Sequence, residues 1–247
     1  MPSEERTGIL IQARIGSSRL KEKALQQIGG KPVLRRLYDR MKLCKRASVV
    51  AVATSDTPEN QVIEDACRSW DVPVFRGPEV DLLSRYLGAA EFFDFSILVR
   101  VTGDNPLTDP EGVDSMISAY LEGSTDVVHN CHRKGYPYGT GSELAHVSAL
   151  KACNDDLRDE ASRELVFSFL RNHPERFRCV ELDAPPELSG LEYRFSVDYA
   201  EDLDFLREIY ARFDGRDDMK LGDVVNFLRA NPEVAQLNAH LCHGYSA

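Results

Sequence analysis

Residues Leu10 to Lys23 read LIQARIGSSRLKEK. An apolar run gives way to a polar stretch that holds two arginines, a glycine, two serines and two lysines between Arg14 and Lys23. Gly16 with Ser17 and Ser18 allows a tight turn whose backbone N–H groups point inward, a geometry that cradles phosphate oxygens. Arg14, Arg19 and Lys23 add the positive charge that a polyphosphate needs. The competing description is a solvated basic loop whose stems lie on a sheet; placement and composition together favour phosphate binding. Two other phosphate motifs fail on spacing. Gly30-Lys31 is followed by Pro32 rather than by the Ser or Thr of a Walker loop, and no G-x-G-x-x-G follows the first apolar run.

Two carboxylates stand in comparable places. Asp104 follows an apolar run inside Gly-Asp-Asn-Pro, and Asp198 closes another such run. A pair of carboxylates meeting at strand ends suits Mg²⁺, which takes few protein ligands and keeps room for phosphate oxygens. Helix N-capping is the competing use. It is stronger at Asp198, where a helical pattern starts at the next residue, than at Asp104, where the next helix starts near Asp109. The chain's one D-x-D, Asp202-Leu203-Asp204, falls inside a helical pattern, which argues against a glycosyltransferase with Asp-x-Asp at a strand end. His129, Cys131 and His132 lie close together, but a fourth ligand and a zinc signature are missing.

The elements that position these groups alternate. Strands are expected at 8–13, 48–54, 72–76, 96–102, 125–130 and 192–198, from short apolar runs. Helices are expected at 32–44, 57–70, 79–93, 109–122 and 199–213, from apolar recurrence at helical spacing and from Pro or acidic residues at the starts. This order implies an α/β fold with a mainly parallel, doubly wound sheet and right-handed crossovers. Ligands in such sheets bind at the carboxyl ends of the strands, where the loops 14–23 and 102–109 emerge. Residues 131–186 are less regular. A turn-rich stretch leads to a further strand near 144, and a helix pair follows at 148–157 and 159–172. This part reads as an insertion into a single domain, serving as a lid, an acceptor subregion or a dimer contact.

The chain has 247 residues, 43% of them hydrophobic, and a net charge of −10. The length suits one good-sized core. Such an acidic surface repels nucleic acid and anionic membranes, so a local basic cluster fits a small anionic ligand. No apolar run reaches membrane-spanning length, and MPSEERTG lacks the apolar core of a signal peptide. The expected location is the cytoplasm. The six cysteines form no C-x-x-C pair, as for reduced thiols.

The segment IQARIGSSRLKEKALQQIGGKPVL resembles the N-terminal signature of the cytidylyltransferases that activate sugar acids. These are the CMP-3-deoxy-octulosonate and acylneuraminate synthetases and, above all, the spore-coat polysaccharide branch. The likeness continues in AVATSD (51–56), VFRGPEVDLLSRY (74–86), VRVTGDNPLTDPE (99–111) and FSVDYAEDL (195–203). It implies a nucleotide-diphospho-sugar transferase (GT-A-like) fold. It also implies attack by an acceptor oxygen on the α-phosphorus of CTP with loss of pyrophosphate. By matching position, Ala13, Arg14, Gly16, Ser17, Ser18, Arg19 and Lys23 would hold the triphosphate, with Lys23, Arg14 and Arg19 as catalytic cations. Arg76, Asp81 and Thr102 would lie near base and ribose, and Asp104 and Asp198 would hold Mg²⁺. A homodimer is expected. A non-catalytic nucleotide-binding regulator is the other class of function, and the retained lysine and aspartates argue against it.

The chain departs from the spore-coat pattern on the acceptor side. Lys21-Glu22 replace the usual Pro-Gly before the phosphate lysine. GTGSE (139–143) replaces G-L-D-V-E, so Gly141 stands for Asp while Glu143 is kept. Leu165 stands where a His is common. The acceptor is therefore read from the residues: Arg100, His132, Arg133, Lys134, Tyr136, Glu143 and Arg194 are the candidates to line its pocket, with a solvated basic turn as the competing description of 132–134. Their charge suits a small anion, either a sugar acid or a phosphonate such as phosphonoformate, whose cytidylyltransferases resemble the same family.

Overall fold

The computed structural model describes residues 5–16, 19–131, 134–189 and 191–241. Strand β1 (Thr7–Gln12) runs into the polar loop. A two-residue hairpin follows, β2 (Gln27–Ile28) with β3 (Lys31–Pro32), and leads into helix α1 (Val33–Met41). The alternation continues through β4 (Val49–Ser55), α2 (Gln61–Ser69), β5 (Val74–Gly77), α3 (Leu82–Phe92), β6 (Ile97–Thr102), α4 (Pro110–Glu122) and β7 (Val127–His129). Then come β8 (Glu143–His146), α5 (Val147–Ala152), α6 (Glu160–Glu164), α7 (Val166–Asn172) and β9 (Cys179–Glu181). Helices α8 (Ala200–Arg212), α9 (Leu221–Ala230) and α10 (Pro232–Ala235) follow.

Seven strands form one sheet in the order β5-β4-β1-β6-β8-β7-β9. All pairings are parallel except those of β8, which runs against both β6 and β7. The expected doubly wound, mainly parallel sheet is thus present. Alternation along β1 divides its side chains between two cores. Leu10 packs with Leu83, Tyr86 and Phe167 on one face. Ile9 and Ile11 pack with Leu34, Ile63 and Val113 on the other. A third cluster joins α8 and α9 to Ile28, Leu107, Phe195 and Val197 beyond the strand ends.

Register decides where the loops emerge. Gln12 of β1 lies beside Ala53 of β4 and Thr102 of β6, so the carboxyl ends of three parallel strands are level. The Gly103 N–H continues the ladder by donating to the Gln12 carbonyl at 2.8 Å. A Cβ at residue 103 would fall 2.8 Å from that carbonyl oxygen and 2.9 Å from the Ala13 Cβ, so only glycine lets the two loops lie this close.

Two expectations need correction. Residues 192–198 are not a strand: they make a single parallel bridge, Tyr138 with Arg194, and otherwise join no ladder. The position beside β6 belongs to β8, so the segment is held instead by N–H donation from Phe195 to Tyr138 (2.8 Å) and from Val197 to Asp104 (2.8 Å). Its alternation is real, with Phe195 and Val197 in the third core, but no ladder accompanies it. Residues 131–186 also do more than sit on the domain, because they supply β8 and β9 to the sheet itself. Among the described residues no helix is long and apolar enough to cross a membrane.

Candidate active site

The polar loop leaves β1 at Ala13, which is buried and whose N–H donates to Ala53 at 3.1 Å. It returns to the sheet end through a 3-10 turn at Lys23–Leu25. Glu22 precedes that turn with φ +52°, a left-handed conformation that turns the chain so that Lys23 faces the strand ends. This is the position at which the spore-coat pattern has glycine, so the departure places a side chain where glycine is the unstrained residue. Ala13, Arg14, Gly16, Arg19, Lys23, Thr102 and Asp104, all singled out from the sequence, line one cavity of about 250 Å³.

At the floor of this cavity Lys23 bridges the two carboxylates. Its Nζ lies 2.5 Å from Asp104 Oδ2 and 2.9 Å from Asp198 Oδ1. Arg19 also reaches Asp198 Oδ1, at 2.7 Å, and Arg194 donates to Asp198 Oδ2 at 2.5 Å. Burial would lower the Lys23 ammonium, but the charge of Asp104 and hydrogen bonds to both carboxylates outweigh it and leave Lys23 above its ordinary value. Burial would likewise raise Asp198; the hydrogen bond and charge of Lys23, then Arg194 and Arg19, hold it below the usual carboxylate range.

Neither carboxylate is a helix cap. Helix α8 starts from Tyr199, and the cap is completed by Asp202, which accepts from the N–H groups of Asp198 (2.9 Å) and Tyr199 (3.0 Å). Helix α4 is capped by Asp109, which accepts from Gly112 at 3.0 Å. The Asp104 side chain is therefore left to line the cavity, and Asp198, 3% exposed, lies directly beneath the lining, paired with Lys23 and Arg19. Asp202, the first half of the D-x-D, is spent on that cap, and Asp204 pairs with Arg207 at the surface. Among the described residues no three or more His, Cys, Asp or Glu converge on one point. A two-carboxylate floor that already draws in a cation fits an ion with few protein ligands, as Mg²⁺ is.

A second cavity, of about 370 Å³, shares Thr102 and Asp104 with the first. Arg100 and Glu143 line it and pair with each other. Glu143 is buried and also pairs with Arg171 of α7, a residue the sequence reading missed. The available signal was a cation one turn after Phe167 on the apolar face of VFSFLRN, where a surface helix would place an apolar residue. Gln12 was missed too. Its Oε1 accepts from Tyr86 (2.7 Å) and Arg100 (3.3 Å) and so connects the two cavities. A lone amide ending an apolar strand was its signal. Gly141, where the spore-coat pattern has Asp, also lines this cavity. A Cβ there would meet the Asn130 carbonyl oxygen at 2.5 Å, so an aspartate needs a shift of the backbone.

Several expected site residues lie elsewhere. Arg76 is spent on Glu64 (2.8 Å), Gln61 and the carbonyls of Ser55 and Thr57, and lines neither cavity. Asp81 caps α3 by accepting from Ser84 N–H (2.8 Å) and pairs with Arg163 (2.7 Å). Lys134 pairs with Asp183 at 3.1 Å outside the second cavity. Tyr136 is buried in the third core. Arg194 is buried behind Asp198, held by Asp202 at 3.0 Å and by the Tyr138 ring, so it positions the carboxylate instead of facing the cavity. Ser17, Ser18, His132 and Arg133 lie outside the described residues.

Comparison with known proteins gives the family and the fold. Residues 8–224 match the model of the family described as cytidylyltransferase. The spore coat polysaccharide biosynthesis protein of Bacillus subtilis is 30% identical over 236 residues, covering 92% of this chain and 95% of that protein. A cytidylyltransferase from Leptospira borgpetersenii superposes with a TM-score of 0.88 at 29% identity, over 94% of this chain and 98% of that one. A CMP:2-keto-3-deoxy-manno-octonic acid synthetase solved in complex with CTP shares the fold, with a TM-score of 0.63 at 20% identity over 85% of this chain and all of that one (100%).

Proposed function

This chain belongs to the cytidylyltransferase family, and from that premise we propose that it transfers CMP from CTP to a small anionic acceptor in a reaction that needs Mg²⁺ and releases pyrophosphate. The observation that carries the reading is the shared wall of the two cavities. Thr102 and Asp104 line both, so a nucleotide in the first and an acceptor in the second meet at Asp104.

Arg14, Arg19 and Lys23 line the first cavity and suit the triphosphate. The acceptor oxygen attacks the α-phosphorus while the bond to pyrophosphate breaks, and fixed cations stabilise the charge that gathers on the leaving group. Asp104 and Asp198 would hold the metal, which when bound neutralises phosphate charge and orients the α-phosphoryl group. Arg194, anchored by Asp202, keeps Asp198 in place. On the acceptor side Arg100 and Arg171 present two guanidinium groups to Glu143, and the cavity's other carboxylate, Asp104, is already paired with Lys23. The surplus positive charge suits an acceptor with an acidic head group, a sugar acid or a phosphonate. Tyr138, Ser142, Ser196 and Asn105 offer hydrogen bonds in the same cavity, which favours the hydroxyl-bearing sugar acid over a compact phosphonate such as phosphonoformate.

Pyrophosphate release from each of the four nucleoside triphosphates, with and without Mg²⁺, against panels of sugar acids, phosphonates and neutral sugars tests this. Release is expected only with CTP, metal and an anionic acceptor together. Release with a neutral sugar, or at full rate in EDTA, would overturn the acceptor or the metal assignment respectively.

A further inference from the structure

We propose that Lys23 is a built-in stand-in for the divalent ion, so that the nucleotide-free protein holds the metal weakly and the incoming triphosphate opens the site by drawing Lys23 away. This rests on the reading of Asp104 and Asp198 as the metal pair. The Lys23 ammonium is the one described group that contacts both carboxylates, at 2.5 and 2.9 Å. A Mg²⁺ ion bonds to oxygen at about 2.0–2.1 Å. It would have to sit between the same two carboxylates, and an ammonium cannot remain there with it.

The charges lead to the same conclusion. Asp104, Asp198 and Asp202 are matched by Lys23, Arg19 and Arg194, three anions against three cations joined by direct ion pairs. Adding a divalent ion to this balanced cluster leaves two positive charges without partners in a partly dry site, which is costly. A nucleoside triphosphate brings about four negative charges. The cavity that would receive it is lined by Arg19 and Lys23 but not by Arg194. The cations split accordingly. Arg194 is 1% exposed and tied to Asp202, so it stays with Asp198. Lys23 and Arg19 face the cavity and can exchange a carboxylate partner for a phosphate. Nucleotide binding then frees oxygens on both carboxylates just as it supplies the charge that the ion needs. Metal and nucleotide thereby raise each other's affinity, as linkage requires.

Mn²⁺ binding followed by the loss of the free-ion EPR signal separates the possibilities. In the absence of nucleotide, Lys23→Met is expected to bind one Mn²⁺ at least about tenfold more tightly than wild type, because the competing ammonium is gone. Asp104→Asn added to Lys23→Met should abolish that gain. Lys23→Gln, which keeps a hydrogen-bond donor for Asp104, serves if the methionine variant does not fold, and should give a smaller gain in the same direction. A third arm measures Mn²⁺ in the wild-type complex with a non-hydrolysable CTP analogue, with and without Asp104→Asn. If Mn²⁺ in that complex depends on Asp104 but neither Lys23 variant gains affinity without nucleotide, the stand-in role is overturned and the metal pair stands. If Asp104→Asn has no effect in the ternary complex, the metal assignment falls and this inference with it.

Discussion

At the residue scale the site depends on where two carboxylates spend their oxygens. Both Asp104 and Asp198 could have been helix caps; Asp109 and Asp202 perform that work and leave Asp104 to the cavity lining and Asp198 to the ion pairs just beneath it. Asp104→Asn and Asp198→Asn should each reduce turnover, and the double variant should lose far less than the product of the two, since both would act through one ion. Steady-state rates across a magnesium titration check this, and multiplicative losses would show that the carboxylates act separately. The same pair shapes stability against pH. The folded-state value of Asp198 is lowered, so its contribution is complete above the unfolded value of about 4 and is lost as pH falls through the lower folded value. The folded-state value of Lys23 is raised, so its contribution is complete below the unfolded value of about 10.4 and is lost as pH rises through the higher folded value. Urea midpoints of Asp198→Asn should therefore fall less steeply than those of wild type on the acid side, below about pH 4, relative to their values at pH 7.

At the scale of elements, the loop before Lys23 and helix α7 carry the features that distinguish this chain. Glu22 holds a left-handed backbone that costs a non-glycine residue about 1–2 kcal/mol, partly offset in glycine by the freedom of its unfolded chain. Glu22→Gly should raise stability by about 0.5–1 kcal/mol, measured by chemical denaturation, and leave the phosphate loop intact. Helix α7 brings Arg171 to Glu143 across the second cavity. Arg171→Gln should raise the acceptor KM by about tenfold and leave the KM for CTP nearly unchanged. Equal changes in both would show that α7 supports the fold of the whole site instead of acceptor choice. The broken helix pair around Leu165 also matters, because α6 carries Arg163 to Asp81 and Glu164 towards Arg14 at 3.6 Å. Strand-like alternation at 192–198 was legible, yet whether such a segment joins a sheet depends on a free neighbouring edge. β8 had taken it.

At the scale of the molecule, a chain of net charge −10 sets Arg14, Arg19 and Lys23 together at the carboxyl ends of level parallel strands. A ligand that bridges the polar loop, the 102–109 loop and the 192–198 segment ties three separate parts of the chain together. CTP with Mg²⁺ at about 100 times its dissociation constant should stabilise the protein by about 2.7 kcal/mol. That corresponds to a rise in Tm of about 5–10 °C for a chain of this size. CTP with EDTA should give a much smaller shift in a thermal melt, and equal shifts would argue against a metal between the carboxylates.

The fold class, the strand ends that carry the site, and Arg14, Gly16, Arg19, Lys23 and Asp104 were legible in the chain's order of residues, from apolar periodicity and from polar residues placed directly after strands, both of which are local; Thr102 came only from the family resemblance. The partners of long-range charges were set by how the chain packs. Arg76 and Asp81 come from the same motif stretch, yet Glu64 and Arg163 claim them. Arg171 lies outside every quoted motif and Gln12 stands inside the N-terminal one as part of the strand, yet they reach the acceptor cavity and the link between the two cavities. A charged side chain goes to whichever opposite charge the packed chain brings within reach, and for Lys23 and Asp198 that partner is 175 residues away.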